Sequence, residues 1–236
     1  MTSLIFETYA GLEGLALVQA MLRDFPGRAA VVSSFGAESA VLLHMVAKAD
    51  PSTPIIFLDT GQHFWETLSY RSRLIDQLGL TGVRTISPEM QQVRREDPSN
   101  DLYARSPDRC CQIRKVFPLQ NAIAEFDVLI SGRKRYHGAA RATLQFLSMV
   151  EDRLRVDPLA GFSALDIEAY MKTHNLLPHP LTAIGYPSVG CEPCTHPGGS
   201  ASDPGAGRWS GLGKTECGIH LTANNTTDET RSALHR

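Results

Sequence analysis

The side chains whose spacing most directly implies chemistry are the five thiols. Cys110 and Cys111 are adjacent at the head of RCCQIRKVFPL, and Cys191 and Cys194 form the C-x-x-C of GCEPC. Two thiol pairs at these spacings are a metal or cluster signal. Four thiolates suit structural zinc and equally suit a [4Fe–4S] cluster, and the C-x-x-C half serves both. Adjacent Cα atoms lie only about 3.8 Å apart. Two thiolates so constrained fit neighbouring irons of a cluster more easily than two corners of one small tetrahedron, so the vicinal half leans toward the cluster. The bland alternative is four buried cysteines, which their polar and Gly/Pro-rich surroundings disfavour. Lys115 follows Cys111 by four residues and shares a face with it if the stretch is helical. Its ammonium would stabilise an anionic thiolate site and could reach a bound anion. Its alternative is a solvated surface lysine. Pro118 is expected to kink or restart that helix.

Cys217 stands alone in KTECGIH, outside any apolar run and next to Gly218. Lys214, His220 and, further upstream, Arg208 favour its thiolate, the nucleophilic form; an inert core cysteine is the alternative. Near the other end of the chain, Ser33-Ser34-Phe35-Gly36-Ala37-Glu38-Ser39 turns an apolar run into a helical one. Such a turn aims backbone N–H groups and the positive end of the helix dipole at one point, which suits phosphate or sulfate. Locally the same stretch reads equally as an ordinary strand-to-helix turn with a serine cap. It has no Walker A lysine, and the later GAGRWSGLG has no strand before it, which excludes a dinucleotide fingerprint. Arg133, Lys134, Arg135 and Arg141 form the strongest local basic cluster, which fits a small anionic ligand, with a basic surface loop as the alternative.

The elements that must position these residues alternate in type. Ala29 to Ser33, Pro54 to Asp59 and Phe126 to Ser131 are short apolar runs and Val83 to Ser87 is a further strand candidate; Ala37 to Ala49 and His63 to Leu78 read as helices. Apolar strands separated by helices predict an α/β fold, with a mostly parallel twisted sheet covered by helices on both faces. Phe162 to His174 reads as a helix capped by Ser163. Residues 1 to about 160 are expected to form the sheet core. Residues 161–236, rich in Pro and Gly, would pack on it or move over it within one structural domain, with a frayed end from Thr222.

Composition narrows the partners. Twenty-three basic against 25 acidic residues give a net charge of −2, and that balance lacks the clustered excess that coats nucleic acid. Apolar runs stop well short of the roughly 18–20 residues that span a bilayer, and the N-terminus has no basic leader pattern. A cytoplasmic protein is expected, and there an odd number of cysteines does not read as a disulfide framework.

SSFGAES is similar to the PP-loop of the adenine nucleotide α-hydrolase-like superfamily, and Leu58-Asp59-Thr60-Gly61 followed by Phe64 and Glu66-Thr67 resembles the second signature of its sulfonucleotide reductases. With the CC-x-x-R-K-x-x-P-L stretch, SGRKR with Arg141, the C-x-x-C and the terminal E-C-G-I-H, most of the chain resembles the assimilatory adenylyl-sulfate (APS) reductases. The resemblance implies a [4Fe–4S] cluster on Cys110, Cys111, Cys191 and Cys194, and Cys217 as nucleophile. It implies adenine near Leu58 and Gly132, phosphosulfate contacts from Ser33, Ser34, Gly36, Ser39, Lys115, Arg133, Arg135, Arg141, Arg208 and His220, and thioredoxin or glutaredoxin as electron donor. Relatives form dimers or tetramers, so a homo-oligomer is possible. The phosphoadenylyl-sulfate (PAPS) reductases typically lack the four cluster cysteines. Two positions depart from the pattern: Phe35 stands where many relatives carry a small residue, and Gly205 where they often carry a second arginine. The rival readings are a PAPS reductase, a PP-loop ATP pyrophosphatase such as a tRNA-thiolating enzyme, and a non-catalytic redox-sensing zinc or cluster module.

Overall fold

A computed structural model gives the architecture; it describes residues 2–138, 141–199, 205, 207–209, 214, 218 and 219. Six strands form one sheet: β1 (Ala29–Val32), β2 (Ile55–Leu58), β3 (Val83–Ile86), β4 (Val128–Ser131), β5 (Leu147–Val150) and β6 (Arg153–Val156). Their order is β3-β2-β1-β4-β6-β5, and every pair is parallel except β5 with β6. The inner strands have no polar face because both sides are covered. Val31, Phe57 and Ile130 join the main core, while Ala30, Ile56 and Leu129 join a second cluster on the other face.

Helices fill both faces. α1 (Thr2–Thr8) precedes α2 (Gly14–Asp24), α3 (Ser39–Ala49) and α4 (Trp65–Leu78). Leu17 and Met21 of α2, Val41 and Leu43 of α3 and Leu74 of α4 all pack into the main core. α4 ends at Gly79, whose φ of 64° is the left-handed turn that stops helices without a Cβ penalty. Short helices α5 (Met90–Glu96), α6 (Leu102–Arg105) and α7 (Pro107–Cys111) lead into a π-helical turn, Gln112–Val116. α8 (Phe117–Ala122) follows with Pro118 in its first turn, so the proline restarts the helix as its missing N–H predicts. Leu119 of α8, with Ile123 and Phe126 after it, covers the second face. α9 (Ala164–Thr173) opens on Ser163 in a capping box with Asp166 and buries Ile167 in the main core.

The four strand candidates are strands as expected, with β3 at the sheet edge only partly covered. β5 and β6 are additional, an edge hairpin turning at Glu151 with φ 54°. Only one face of β6 is apolar: Leu154 and Val156 are buried, Arg153 and Arg155 alternate with them. The chain after α9 is tied to the core by Tyr70, whose hydroxyl donates to the Leu177 carbonyl at 3.0 Å. Strand order reverses between β1 and β4, so a crevice opens where connections leave in opposite directions, as in open α/β sheets generally.

Candidate active site

A cavity of about 720 Å³ occupies that crevice. Ser33, Ser34, Gly36 and Ser39 line it from the end of β1 and the start of α3, Leu58 from β2 and Gly132 from β4. The β1 turn is held locally: the Phe35 N–H donates to Ser33 Oγ at 3.2 Å, and Phe35 takes φ 49°. That unusual backbone turns the phenyl ring away from the cavity into the core, edge-on to Phe57 at 5.6 Å between centroids. The Phe35 departure is therefore a core substitution, and the cavity keeps the backbone of the turn. Gly36 allows the C-terminal segment to approach: a Cβ there would lie 3.0 Å from the Val189 carbonyl oxygen. No side chain caps α3.

Lys115, Arg133, Arg141 and Arg208 all line the cavity, joined by Lys134 and Lys214. Their charges are not equally available. Arg133 makes a two-pronged pair with buried Asp157, at 3.0 and 2.6 Å. Lys134 is buried against Glu38 at 2.7 Å. Glu38 also accepts from the Tyr136 hydroxyl at 2.6 Å and lies 2.8 Å from His137 Nε2. Burial alone would raise the Glu38 carboxyl; the hydrogen bond from His137 and the Lys134 ammonium outweigh it and hold it at about 2. Burial keeps His137 below the ordinary histidine value, so at neutral pH the imidazole donates to Glu38 uncharged. Arg135 differs from expectation. Its Nε donates to the Leu144 carbonyl at 2.8 Å, its guanidinium lies over Phe146, and it is not among the cavity's lining residues. It secures the connection to β5.

The four paired thiols are buried in one neighbourhood. Cys110 and Cys111 end α7, and Cys191 and Cys194 bracket a single 3-10 turn. Tyr103 packs against both Cys110 and the group of Cys191, Cys194 and Trp209. Burial, then the charges of Cys111, Cys191 and Cys194, push Cys110 up to about 12. Burial also disfavours the Cys191 thiolate, yet Lys115, a hydrogen bond with Thr60 and Arg208 reverse the sign and lower it. Thr60 Oγ1 lies 3.4 Å from Cys191 Sγ. Among the described residues no three His, Cys, Asp or Glu side chains converge as ligands of a single metal ion. The thiols nevertheless lie near enough to raise one another's pKa, with Lys115 and Arg208 to balance negative charge. Such a donor set fits an anionic cluster.

Several working residues escape a sequence reading. Glu38 is inside the loop but has no visible partner in sequence. Arg114, in the same motif as Lys115, is buried on Asp97 at 2.7 Å and donates to the Thr60 carbonyl at 2.8 Å; it locks the π-helical turn to the L-D-T-G loop. His63 lines the cavity with Nε2 2.8 Å from the Leu58 carbonyl, and burial keeps it below the usual value. Gly190 leaves room for Arg208: a Cβ there would overlap the guanidinium, which stacks 4.3 Å from the Trp209 ring centre. Gly205 lines the cavity without adding charge, while Lys214, also at the cavity, pairs with Asp108. Cys217 and His220 lie outside the described residues.

Residues 28–197 match the profile of the phosphoadenosine phosphosulfate reductase domain. The chain is 46% identical over 215 residues to adenosine 5'-phosphosulfate reductase of Chelativorans sp. (strain BNC1), covering 90% of this chain and 88% of the relative. It is likewise 46% identical to adenosine 5'-phosphosulfate reductase of Mesorhizobium japonicum, over 91% of this chain and 85% of the relative. Its fold is similar to a crystal structure of phosphoadenylyl-sulfate (PAPS) reductase from Candida auris in a phosphate complex, with a TM-score of 0.67, 21% identity, and coverage of 82% of this chain and 95% of that one.

Proposed function

The chain belongs to the phosphoadenosine phosphosulfate reductase family, and on that premise we propose that it reduces adenosine 5'-phosphosulfate to sulfite and AMP with electrons from a dithiol protein. The carrying observation is the one cavity that gathers the β1 turn, the end of β4 and the cations Lys115, Arg141 and Arg208. The Ser33 and Ser39 N–H groups are held by the Ile56 and Gly36 carbonyls, so the backbone of Ser34 and Gly36 with the serine hydroxyls suits an anionic group, and Leu58 and Gly132 suit adenine at the carboxyl ends of the strands. Arg133 and Lys134 already neutralise Asp157 and Glu38. They give shape more than charge, which together with the four paired cysteines favours a ligand without a 3'-phosphate.

In the proposed reaction the Cys217 thiolate attacks the sulfate sulfur. The S–O bond to AMP breaks, and the leaving phosphate is met by N–H groups and cations. The enzyme then holds an S-sulfocysteine. One thiolate of thioredoxin or glutaredoxin attacks Cys217 Sγ and forms a mixed disulfide, and sulfite departs with the bonding electron pair. The second partner thiol resolves the disulfide, leaving Cys217 reduced and the partner oxidised. His220 and Arg208 are the proposed tail contacts to the substrate. Cys110, Cys111, Cys191 and Cys194 would hold a [4Fe–4S] cluster, which supplies a fixed charge distribution beside the cavity and needs no redox change in this scheme. Residues 1–160 are read as the nucleotide-binding core and 161–236 as the segment bearing C-x-x-C and Cys217.

Parallel assays with APS, PAPS and ATP, each with reduced thioredoxin, test the reading. APS-dependent sulfite release is expected, with a sulfo adduct on Cys217 when thioredoxin is withheld. Turnover of Cys217→Ser, a PAPS preference, or turnover that requires ATP would each overturn the corresponding part.

A further inference from the structure

The sheet ends in two edge strands whose side chains differ. β3 is guarded: Arg84 pairs with Glu125 at 2.6 Å, and Arg71 donates to Thr85 Oγ1 at 2.8 Å. Charged side chains of this kind keep edge strands from pairing with other chains. β5 carries no such guard. Phe146-Leu147-Ser148-Met149-Val150 contains neither a charge nor a proline, and Met149 is 38% exposed. The ladder shows which backbone groups are left over. The Asp157 N–H donates to the Phe146 carbonyl at 2.8 Å, and the same register pairs Ser148 with Arg155 and Val150 with Arg153. Hydrogen-bonded and non-bonded pairs alternate along an antiparallel ladder, so Phe146, Ser148 and Val150 turn their backbone groups toward β6. Leu147 and Met149 turn theirs outward. β6 agrees from its other side, where the Leu154 N–H donates away from β5 to the Asp127 carbonyl at 2.9 Å. Among the described residues no strand lies along the outer edge of β5.

We propose that β5 is the contact surface of a homodimer: it pairs antiparallel with β5 of a second copy about a two-fold axis at Ser148, so that one sheet runs through both copies. That register sets Leu147 of each copy opposite Met149 of the other, and each outward N–H meets a C=O. Leu147 and Met149 share the face of Val156 and Leu154, so apolar side chains meet apolar ones across the seam. Continuing the register brings Glu151 and Asp152 of one copy opposite Gln145 and Leu144 of the other, and no like charges face each other. The Leu144 carbonyl is held by Arg135 at 2.8 Å, so the acidic turn of each copy closes toward a basic neighbour. A two-fold contact uses one patch twice, and this strand is complementary to itself. A foreign strand would have to supply both the apolar pair and the matching charge. The inference does not depend on the reaction proposed above.

The test compares full-length wild type, Met149→Lys and Met149→Pro, purified without oxygen, by sedimentation velocity over a concentration series. Lysine puts a charge into the apolar seam. Proline removes an outward N–H and no bond to β6, the arrangement in which edge strands accept it. Wild type is expected to be a dimer, and each variant should raise the dimer dissociation constant at least about tenfold, the scale of one or two lost hydrogen bonds, with an unchanged circular-dichroism spectrum. Should Met149→Pro misfold, Met149→Lys, which keeps every backbone group, decides. Amide exchange read by mass spectrometry on the peptide 145–152 locates the seam: it should be slow in the wild-type dimer and fast in Met149→Lys. A wild type that stays monomeric at every concentration overturns the proposal. So does a dimer that Met149→Lys leaves intact, or one whose 145–152 peptide exchanges as fast as the variant's. A larger wild-type assembly supports the proposal if Met149→Lys halves it and overturns it otherwise.

Discussion

Glu38 is the residue through which the β1 turn holds the 134–137 segment over the cavity, and its removal makes a quantitative test. Its carboxylate meets Lys134, Tyr136 and His137 at 2.7, 2.6 and 2.8 Å. A folded pKa of about 2 against an ordinary 4.5 corresponds to about 3 kcal/mol by linkage. The imidazole is neutral at pH 7, so only Lys134 counts as a charge, and the expected loss for Glu38→Gln is about 2–3 kcal/mol, near the lower end for breaking a buried pair. The sign follows from the depressed value: the stabilisation is fully present above about pH 4.5 and is lost as pH falls toward 2. By pH 3 the linkage contribution shrinks to less than half of its neutral-pH value. Denaturant unfolding of wild type and Glu38→Gln at pH 7, 4 and 3 measures the difference, and calorimetric AMP binding at pH 7 reports the cavity wall. A variant as stable as wild type at pH 7, or a difference that does not shrink on acidification, refutes the reasoning.

Three further outcomes are expected. Anaerobically purified protein should be brown with about four irons per chain, and Cys194→Ser should lose them; a colourless, zinc-loaded, fully active protein excludes the cluster. Gly190→Ala should weaken AMP binding severalfold with little change in melting temperature, because its Cβ meets the movable end of Arg208. Gly82→Ala, whose Cβ meets the backbone carbonyls of Ser52 and Thr53, should instead destabilise by about 1–3 kcal/mol and leave AMP affinity alone, and the reverse pattern would contradict both. Burial lowers His179 to about 4. Its Nδ1 accepts from the Leu181 N–H at 3.2 Å, which leaves Nε2–H for Thr67 Oγ1 at 3.1 Å. Stability should therefore fall as pH drops from 6.5 toward 4, by about 2 kcal/mol at pH 5, and denaturant midpoints of His179→Gln should show a flatter slope.

The inner strands were legible because strands buried on both faces must be apolar throughout, and Ser163 was legible because a capping box is local. β5 and β6 were not. An edge hairpin with arginines on one face carries no continuous apolar run, and Leu154 and Val156 gain their meaning only from β4 beside them. The π-helical turn was equally hidden, since its cause is Arg114 reaching Asp97 and Thr60 from other segments.

The types and spacing of residues alone set out the candidate chemistry: four paired thiols, one lone thiol, a strand-to-helix turn of the kind that suits an anion and a group of cations. They did so because thiol reactivity, chain reach and helix polarity are local properties. Only the tertiary structure decided which cations are available to a ligand. Arg133, Lys134 and Arg135 look alike in sequence, yet one is taken by Asp157, one by Glu38 and one by the Leu144 carbonyl. Lys115 and Arg208 are set beside Cys191. A charge is decided by what neutralises it, and here the partners come from segments as much as 106 residues away, a distance no local pattern spans.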